Sequence, residues 1–321
     1  MKVGILGTGF GAYHAELYAG MEEVEELHIY GRNAEKLKEL ERKLTAKLAG
    51  LPVHPGIITT CNVDDIYNND GIDLIDVCLP DSLHREFAVR ALEKGKHVYC
   101  ETPVAPDMEA AEAIGAACAR YGRLAFADLF VRFQGPYLYL KDICAKGTYG
   151  RLRTLGISRK TPPLWGDLGP QSIVTALMIH DIDLVYWLLG SPGRITSECT
   201  RGKAGQCSVT SLLEFDGTCV ELTGSSMMPC AYPFAVSYEA VFDEAAVRFS
   251  EDGYRASEVS SMTLFTQSDR EDIMPDRRNC YEEAIRHVLG CIRDGGQPVN
   301  GIGDATASLG LALKIKEQIL E

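Results

Sequence analysis

Short apolar runs of strand length alternate with longer amphipathic stretches over the first 125 residues or so, and this rhythm predicts the architecture there. Met1 to Leu6, Glu26-Leu27-His28-Ile29-Tyr30, Asp73-Leu74-Ile75-Asp76-Val77-Cys78-Leu79, His97-Val98-Tyr99-Cys100 and Leu124-Ala125-Phe126-Ala127 read as strands. Helical periodicity fills the intervals: Tyr13 to Ala19, Ala34 to about Leu48, Asp81 or Ser82 to Leu92, and Asp107 to about Tyr121. Asp81 or Ser82 and Asp107 are placed to cap their helices, and Gly95 closes one. Strands separated by helices of this length predict a parallel, doubly wound sheet.

The pattern then changes. A helical stretch from Gly135 to Lys146 leads to a strand over 151–158 and a helix from about Ser172 to Leu189. Strand-like runs follow at 208–215, 218–224, 236–242 and 246–250, with a hairpin signal at Phe215-Asp216-Gly217-Thr218. Two helices, roughly 279–294 and 304–319, end the chain. Successive strands with short turns predict a mostly antiparallel sheet covered on one face by helices. The fold class is therefore α/β, with a first domain over 1–125 and a second over 126–321. No repeat or low-complexity linker separates them, so the two are expected to be tightly joined.

Composition narrows the function classes. A net charge of −13 over 321 residues disfavours nucleic acid and anionic membranes as partners. No apolar run approaches bilayer length, and strand begins at once with no leader pattern, so a cytoplasmic protein is expected. The eleven cysteines are odd in number and contain no C-x-x-C pair. They read as reduced thiols, with Cys78 and Cys100 as core fillers, and no metal site is expected from them.

Candidate chemistry starts at Gly4-Ile5-Leu6-Gly7-Thr8-Gly9-Phe10-Gly11-Ala12, a glycine-rich turn between the first strand and first helix. This is the dinucleotide fingerprint. Gly7 serves the tight turn, Gly9 admits the pyrophosphate to the backbone, and Ala12 allows close helix–strand packing. The helix amino terminus offers N–H groups to the phosphates. Twenty residues past Gly11, the second strand ends in Tyr30-Gly31-Arg32-Asn33 with no carboxylate for a ribose. Arg32 is instead placed to meet a 2′-phosphate, which favours NADP while leaving NAD possible.

Three further motifs follow in order. They are Val77-Cys78-Leu79-Pro80-Asp81-Ser82-Leu83-His84, then Gly95-Lys96-His97-Val98-Tyr99-Cys100-Glu101-Thr102-Pro103, then His180-Asp181-Ile182-Asp183-Leu184. With the glycine loop, they make the chain resemble the Gfo/Idh/MocA family of oxidoreductases over nearly its whole length. The resemblance implies an amino-terminal Rossmann domain and a carboxyl-terminal α/β domain whose open sheet mediates oligomerisation, giving a dimer or tetramer. It also implies a nicotinamide cofactor in the cleft between domains and a sugar, cyclitol or related small molecule as substrate. Leu79, Pro80 and His84 match the loop beside the cofactor, and Glu101 and Pro103 match the ends of the Glu-Lys-Pro motif, whose proline often follows a cis peptide. His180 matches the catalytic histidine, and Asp183 is implied to bind a substrate hydroxyl.

Two positions depart from the family pattern: Thr102 replaces the usual lysine, and Ala176 replaces an aspartate four residues before His180. Hydride transfer at an alcohol carbon also requires a proton to move on oxygen, and a positioned acid or base supplies roughly 10²–10⁴ in rate. His180 is the first candidate, Lys160 a distant second, and Tyr232 another that could reach the site; Thr102 can only hydrogen-bond. As a core residue on the stripe Leu177, Ile179, Ile182 and Leu184, His180 would have no chemistry at all. Trp165 and Asp167 suit a polyol, although their loop equally reads as a connection, while Tyr13 and His14 either face the cofactor or pack the first helix. The main expectation is a dehydrogenase acting on CH–OH or its ketone. Reduction of a C=N or conjugated bond, or NADP binding without turnover, are the alternatives.

Overall fold

The computed structural model describes residues 1–49, 54–164, 166, 168–253 and 259–320. Two compact units emerge, one of Met1–Phe130 with Asn279–Thr306, the other of Val131–Arg278 with Ala307–Glu321. The expected division into 1–125 and 126–321 is thus corrected. The chain returns to the first unit near its end because Ile285, Val288, Leu289 and Cys291 are needed in that core.

In the first unit, strands β1 (Lys2–Leu6), β2 (Glu26–Tyr30), β3 (Gly56–Thr60), β4 (Leu74–Val77), β5 (His97–Cys100) and β6 (Ala125–Ala127) form one sheet in the order β3-β2-β1-β4-β5-β6. All its pairings are parallel. Helices α1 (Gly11–Tyr18), α2 (Ala34–Leu48), α3 (Asp64–Tyr67), α4 (Asp81–Glu93) and α5 (Met108–Tyr121) supply the crossovers. The strand order reverses between β1 and β4, the switch point at which ligands of such sheets bind. Leu37, Leu40, Leu44 and Leu48 form the buried stripe of α2, and the Asn33 side chain caps it by accepting from the N–H groups of Glu35 and Lys36. Asp107 caps α5 in the same way, whereas α4 starts after Pro80 with no side-chain cap, against the expectation for Asp81 or Ser82.

The second unit contains α6 (Gly135–Lys146), β7 (Leu152–Lys160), α7 (Ile179–Leu189), β8 (Arg194–Arg201), β9 (Cys207–Phe215), β10 (Thr218–Ser225), β11 (Ala235–Phe242), β12 (Ala245–Asp252), β13 (Val259–Thr266) and β14 (Arg270–Asp272). Its sheet runs β14-β13-β12-β11-β7-β10-β9-β8, antiparallel except where β7 pairs with β10. A π-helical turn, Val174–Met178, precedes α7. Two helices follow the sheet in sequence, α8 (Cys280–Asp294) and α9 (Ile302–Leu320). Among the described residues, no helix is long and apolar enough to cross a membrane.

Candidate active site

β1 delivers the chain into Gly7, whose φ of 117° is natural only to glycine. A Cβ there would stand 2.3 Å from the Cys78 carbonyl oxygen. At the exposed Gly9 the opposite holds: a Cβ would meet nothing within 4 Å. That open space lies at the start of α1, where Phe10 supplies no side-chain cap. The Ala12 and Tyr13 N–H groups bond back to the Gly9 and Phe10 carbonyls, while the positive end of the helix dipole still favours an anion there. The cradle fits a pyrophosphate. Close helix–strand packing belongs to Gly11 more than to Ala12, since a Cβ on Gly11 would lie 3.1 Å from both Ile5 and Cys78. Ala12 is half-buried at the margin of the core.

The Thr8 methyl group rests over Gly31, where a Cβ would come within 2.7 Å of it. Next to it Arg32 is exposed, and among the described residues no ion pair ties its guanidinium. Leu79 is half-buried and Pro80 exposed after β4. His84, by contrast, is buried, its Nε2 2.7 Å from the Leu79 carbonyl and its Nδ1 3.0 Å from that of Pro103. Both ring nitrogens are therefore turned to the backbone, so His84 staples the two loops together rather than presenting itself to a ligand. Burial lowers its pKa. The Thr102–Pro103 peptide is cis, and the Thr102 hydroxyl donates to the Asp128 carbonyl at 2.9 Å. Thr102 is a hydrogen-bonded spacer, with no proton to lend.

Beneath the glycine loop lies a polar cluster that sequence reasoning missed. His14, on the first turns of α1, is fully buried and directs Nδ1 at Asp76 Oδ2, 2.8 Å away. Its Nε2 faces Glu101 Oε1 at 3.4 Å and Asp128 Oδ2 at 3.7 Å. The Tyr99 hydroxyl donates to Asp128, and the Cys78 thiol to Asp76. Burial opposes charge on His14, yet the Asp76 carboxylate and its neighbours hold the imidazole pKa well above 6.5. Burial and then the Asp128 charge push the Glu101 carboxyl up to about 8, against the pull of His14. The available signal was a carboxylate inside an apolar strand, Leu74-Ile75-Asp76-Val77, and another directly after one, Ala125-Phe126-Ala127-Asp128.

The motif around His180 is described within the second unit. The Asp183 carboxylate is buried and clasped by Arg132, with Nε and Nη2 contacts of 2.8 and 2.7 Å, and accepts from Ser308 at 2.7 Å. Arg132 and Ser308 thus occupy the carboxylate expected to bind a substrate hydroxyl. Asp181 is likewise buried and held bidentate by Arg159 at 2.7 and 2.8 Å. His180 is half-buried, and burial followed by repulsion from Arg159 lowers its pKa to about 3. Its neutral form is thus favoured at physiological pH. Lys160 ends β7, as its candidacy required, and strand alternation puts it on the face opposite the buried Arg159. The wide turn over Val174–Met178 also breaks the four-residue register that would stack position 176 over His180. Tyr232 is half-buried in a turn closed on Pro229. Trp165 and Asp167 lie outside the described residues.

Residues 1–129 match a family model described as an oxidoreductase family with an NAD-binding Rossmann fold. The model is that of the Gfo/Idh/MocA oxidoreductases, matched over the amino-terminal part of the chain. Among the relatives, an inositol 2-dehydrogenase of Corynebacterium glutamicum is 22% identical over 92% of this chain and 86% of its own. A myo-inositol 2-dehydrogenase of Thermotoga maritima is 21% identical, covering 100% of this chain and 97% of that one. In fold, the chain is similar to UDP-N-acetylglucosamine 3-dehydrogenase of Acidithiobacillus ferrooxidans, with a TM-score of 0.81 at 20% identity over 99% and 97% of the two chains.

Proposed function

We propose that this protein belongs to the Gfo/Idh/MocA family and is an NADP-preferring oxidoreductase that moves a hydride between nicotinamide and the CH–OH or ketone carbon of a sugar or cyclitol. The observation that carries this reading is the open cradle over Gly9 at an uncapped helix end, built on the switch point of a parallel sheet. When bound, the nicotinamide supplies or accepts the hydride. Gly7, Gly9 and Gly11 shape the loop that would hold the pyrophosphate. Leu79, Pro80 and Pro103 are on loops at the carboxyl ends of β4 and β5, with His84 fixing those two loops against each other. The names of the relatives, inositol and amino-sugar dehydrogenases, support the substrate class.

The exposed Arg32 after β2, with no carboxylate at that strand end, supports NADP. A guanidinium offers a phosphate a bidentate fork. Substitution Arg32→Ala should weaken NADPH binding roughly 10- to 100-fold, read by protein fluorescence, and leave NADH binding unchanged. Equal losses for both cofactors would refute the preference. A panel of cyclitols, aldoses and nucleotide sugars, followed by NADP reduction, tests the reaction itself. Cofactor binding without turnover on any of them would favour a sensor.

A further inference from the structure

We propose that Glu101 is the proton-transfer group of this enzyme and that His14 shares and returns its proton. This rests on the oxidoreductase reading above. Glu101 directly follows β5, Asp128 follows β6, Cys78 follows β4 and His14 lies on the helix after β1. All four therefore sit at the carboxyl edge of the sheet, on both sides of its switch point, where a ligand's reacting end is expected.

The cluster needs a proton to exist. Three carboxylates, Asp76, Glu101 and Asp128, face one imidazole, and among the described residues no lysine or arginine pairs with any of them. Tyr18, Tyr99, Cys78 and Cys100 complete the buried surroundings. With every carboxylate ionised, even an imidazolium would leave two uncompensated charges in a dry site, an arrangement costing several kcal/mol or more. His14 Nε2 and Glu101 Oε1 are both buried without a hydrogen-bond partner, aimed at each other 3.4 Å apart. A small closing movement makes them a proton-sharing pair. Asp76 holds His14 from the other nitrogen and sets the ring's orientation.

Glu101 is also the one carboxylate of the three with a way out. Its side chain is 20% exposed, while those of Asp76 and Asp128 are sealed at 0% and 1%. Burial and the Asp128 charge keep it protonated at neutral pH. In the reducing direction, the substrate carbonyl carbon accepts the cofactor's hydride and its oxygen takes the Glu101 proton, leaving a carboxylate that takes the proton on His14 Nε2, and the pair recovers one proton from solvent through the exposed edge of Glu101. Oxidation runs the same steps backwards. This answers the loss of the family's lysine at Thr102, whose hydroxyl is committed to the Asp128 carbonyl.

The test begins without cofactor. Infrared titration of the intact protein should show the carbonyl band of a protonated carboxylic acid, bleaching with a midpoint near pH 8. The band should be missing in Glu101→Gln, and its midpoint should fall by about one pH unit or more in Asp128→Asn, which removes a neighbouring negative charge. With cofactor and substrate, Glu101→Gln should slow hydride transfer roughly 10²–10⁴-fold at nearly unchanged cofactor Kd. Glu101→Asp should restore part of the rate and the ionisation in the pH profile. A band that persists in Glu101→Gln would overturn the proposal. So would a stoichiometric divalent ion in the purified protein, or a Glu101→Gln variant with weakened cofactor binding and an unchanged rate at saturation. The spectral titration stands whether or not the protein binds a nicotinamide cofactor, so failure of the oxidoreductase reading is told apart from failure of this one.

Discussion

Neighbouring residues of one motif turn out to have unlike duties. In His180-Asp181-Ile182-Asp183, both carboxylates are consumed by arginines, Asp181 by Arg159 and Asp183 by Arg132. The histidine just before them is left beside the Arg159 guanidinium, which disfavours its charged form after burial has already done so. The consequence for stability has a definite sign. An unfolded chain protonates this histidine below about pH 6.5, whereas the folded one resists until about pH 3. Its contribution is therefore neutral above 6.5, and acid draws the chain towards the unfolded state over the window from 6.5 down to 3. His180→Gln should remove roughly 1–3 kcal/mol of that acid-side loss, measured as urea unfolding at pH 7 and near pH 4. Identical slopes in the two proteins would show that the ring titrates normally.

At the scale of elements, strands were legible where one face of the pattern is apolar and were lost where it is not. β3, Gly-Ile-Ile-Thr-Thr, lies at the sheet edge with its residues exposed or half-buried, so no buried periodicity marks it. β8 and β14 are polar strands at the two edges of the second sheet, recognisable only once β9 and β13 are there to pair with them, and β13 buries only Met262 and Leu264. The glycine loop was readable because each glycine answers a local demand. Gly7 joins β1 to the turn under the tightest of these, a positive φ combined with a carbonyl 2.3 Å from any added Cβ. Gly7→Ala should cost about 2–4 kcal/mol in chemical denaturation and abolish cofactor binding with it. An unchanged midpoint would mean that the β1–α1 turn can relax.

Across the whole molecule, the chain does not partition at a single point. Asn279–Thr306 belongs with the nucleotide-binding half, where α8 buries Ile285, Val288 and Leu289 in the core around Val3, Ile5 and Ala15. Asn300 adds a hydrogen bond to the Ala127 carbonyl, and the Asn300 carbonyl accepts from the Ala127 N–H. Ile285→Ala should accordingly destabilise the nucleotide-binding half by about 2–4 kcal/mol and lower cofactor affinity, although position 285 is remote from the fingerprint in sequence. Unfolding followed by the loss of bound NADPH fluorescence reads both effects. A loss confined to the second unit would contradict the assignment.

Local sequence determined the things that short-range sterics and periodicity control: the alternation that makes a doubly wound sheet, the glycine turn, the helix α5 capped by Asp107, and the absence of an acidic residue after β2. Tertiary structure decided which polar side chains meet. Nothing in the spacing of His14, Asp76, Glu101 and Asp128 says that they converge, because they come from α1, β4 and the ends of β5 and β6, and only the strand order brings those segments together. Nor could spacing say that Asp183 is already spoken for, since its partners at 132 and 308 are separated from it by long stretches of chain. Chemistry that depends on desolvation and on charges a few ångströms away is a property of the packed interior, which the order of residues along the chain does not display.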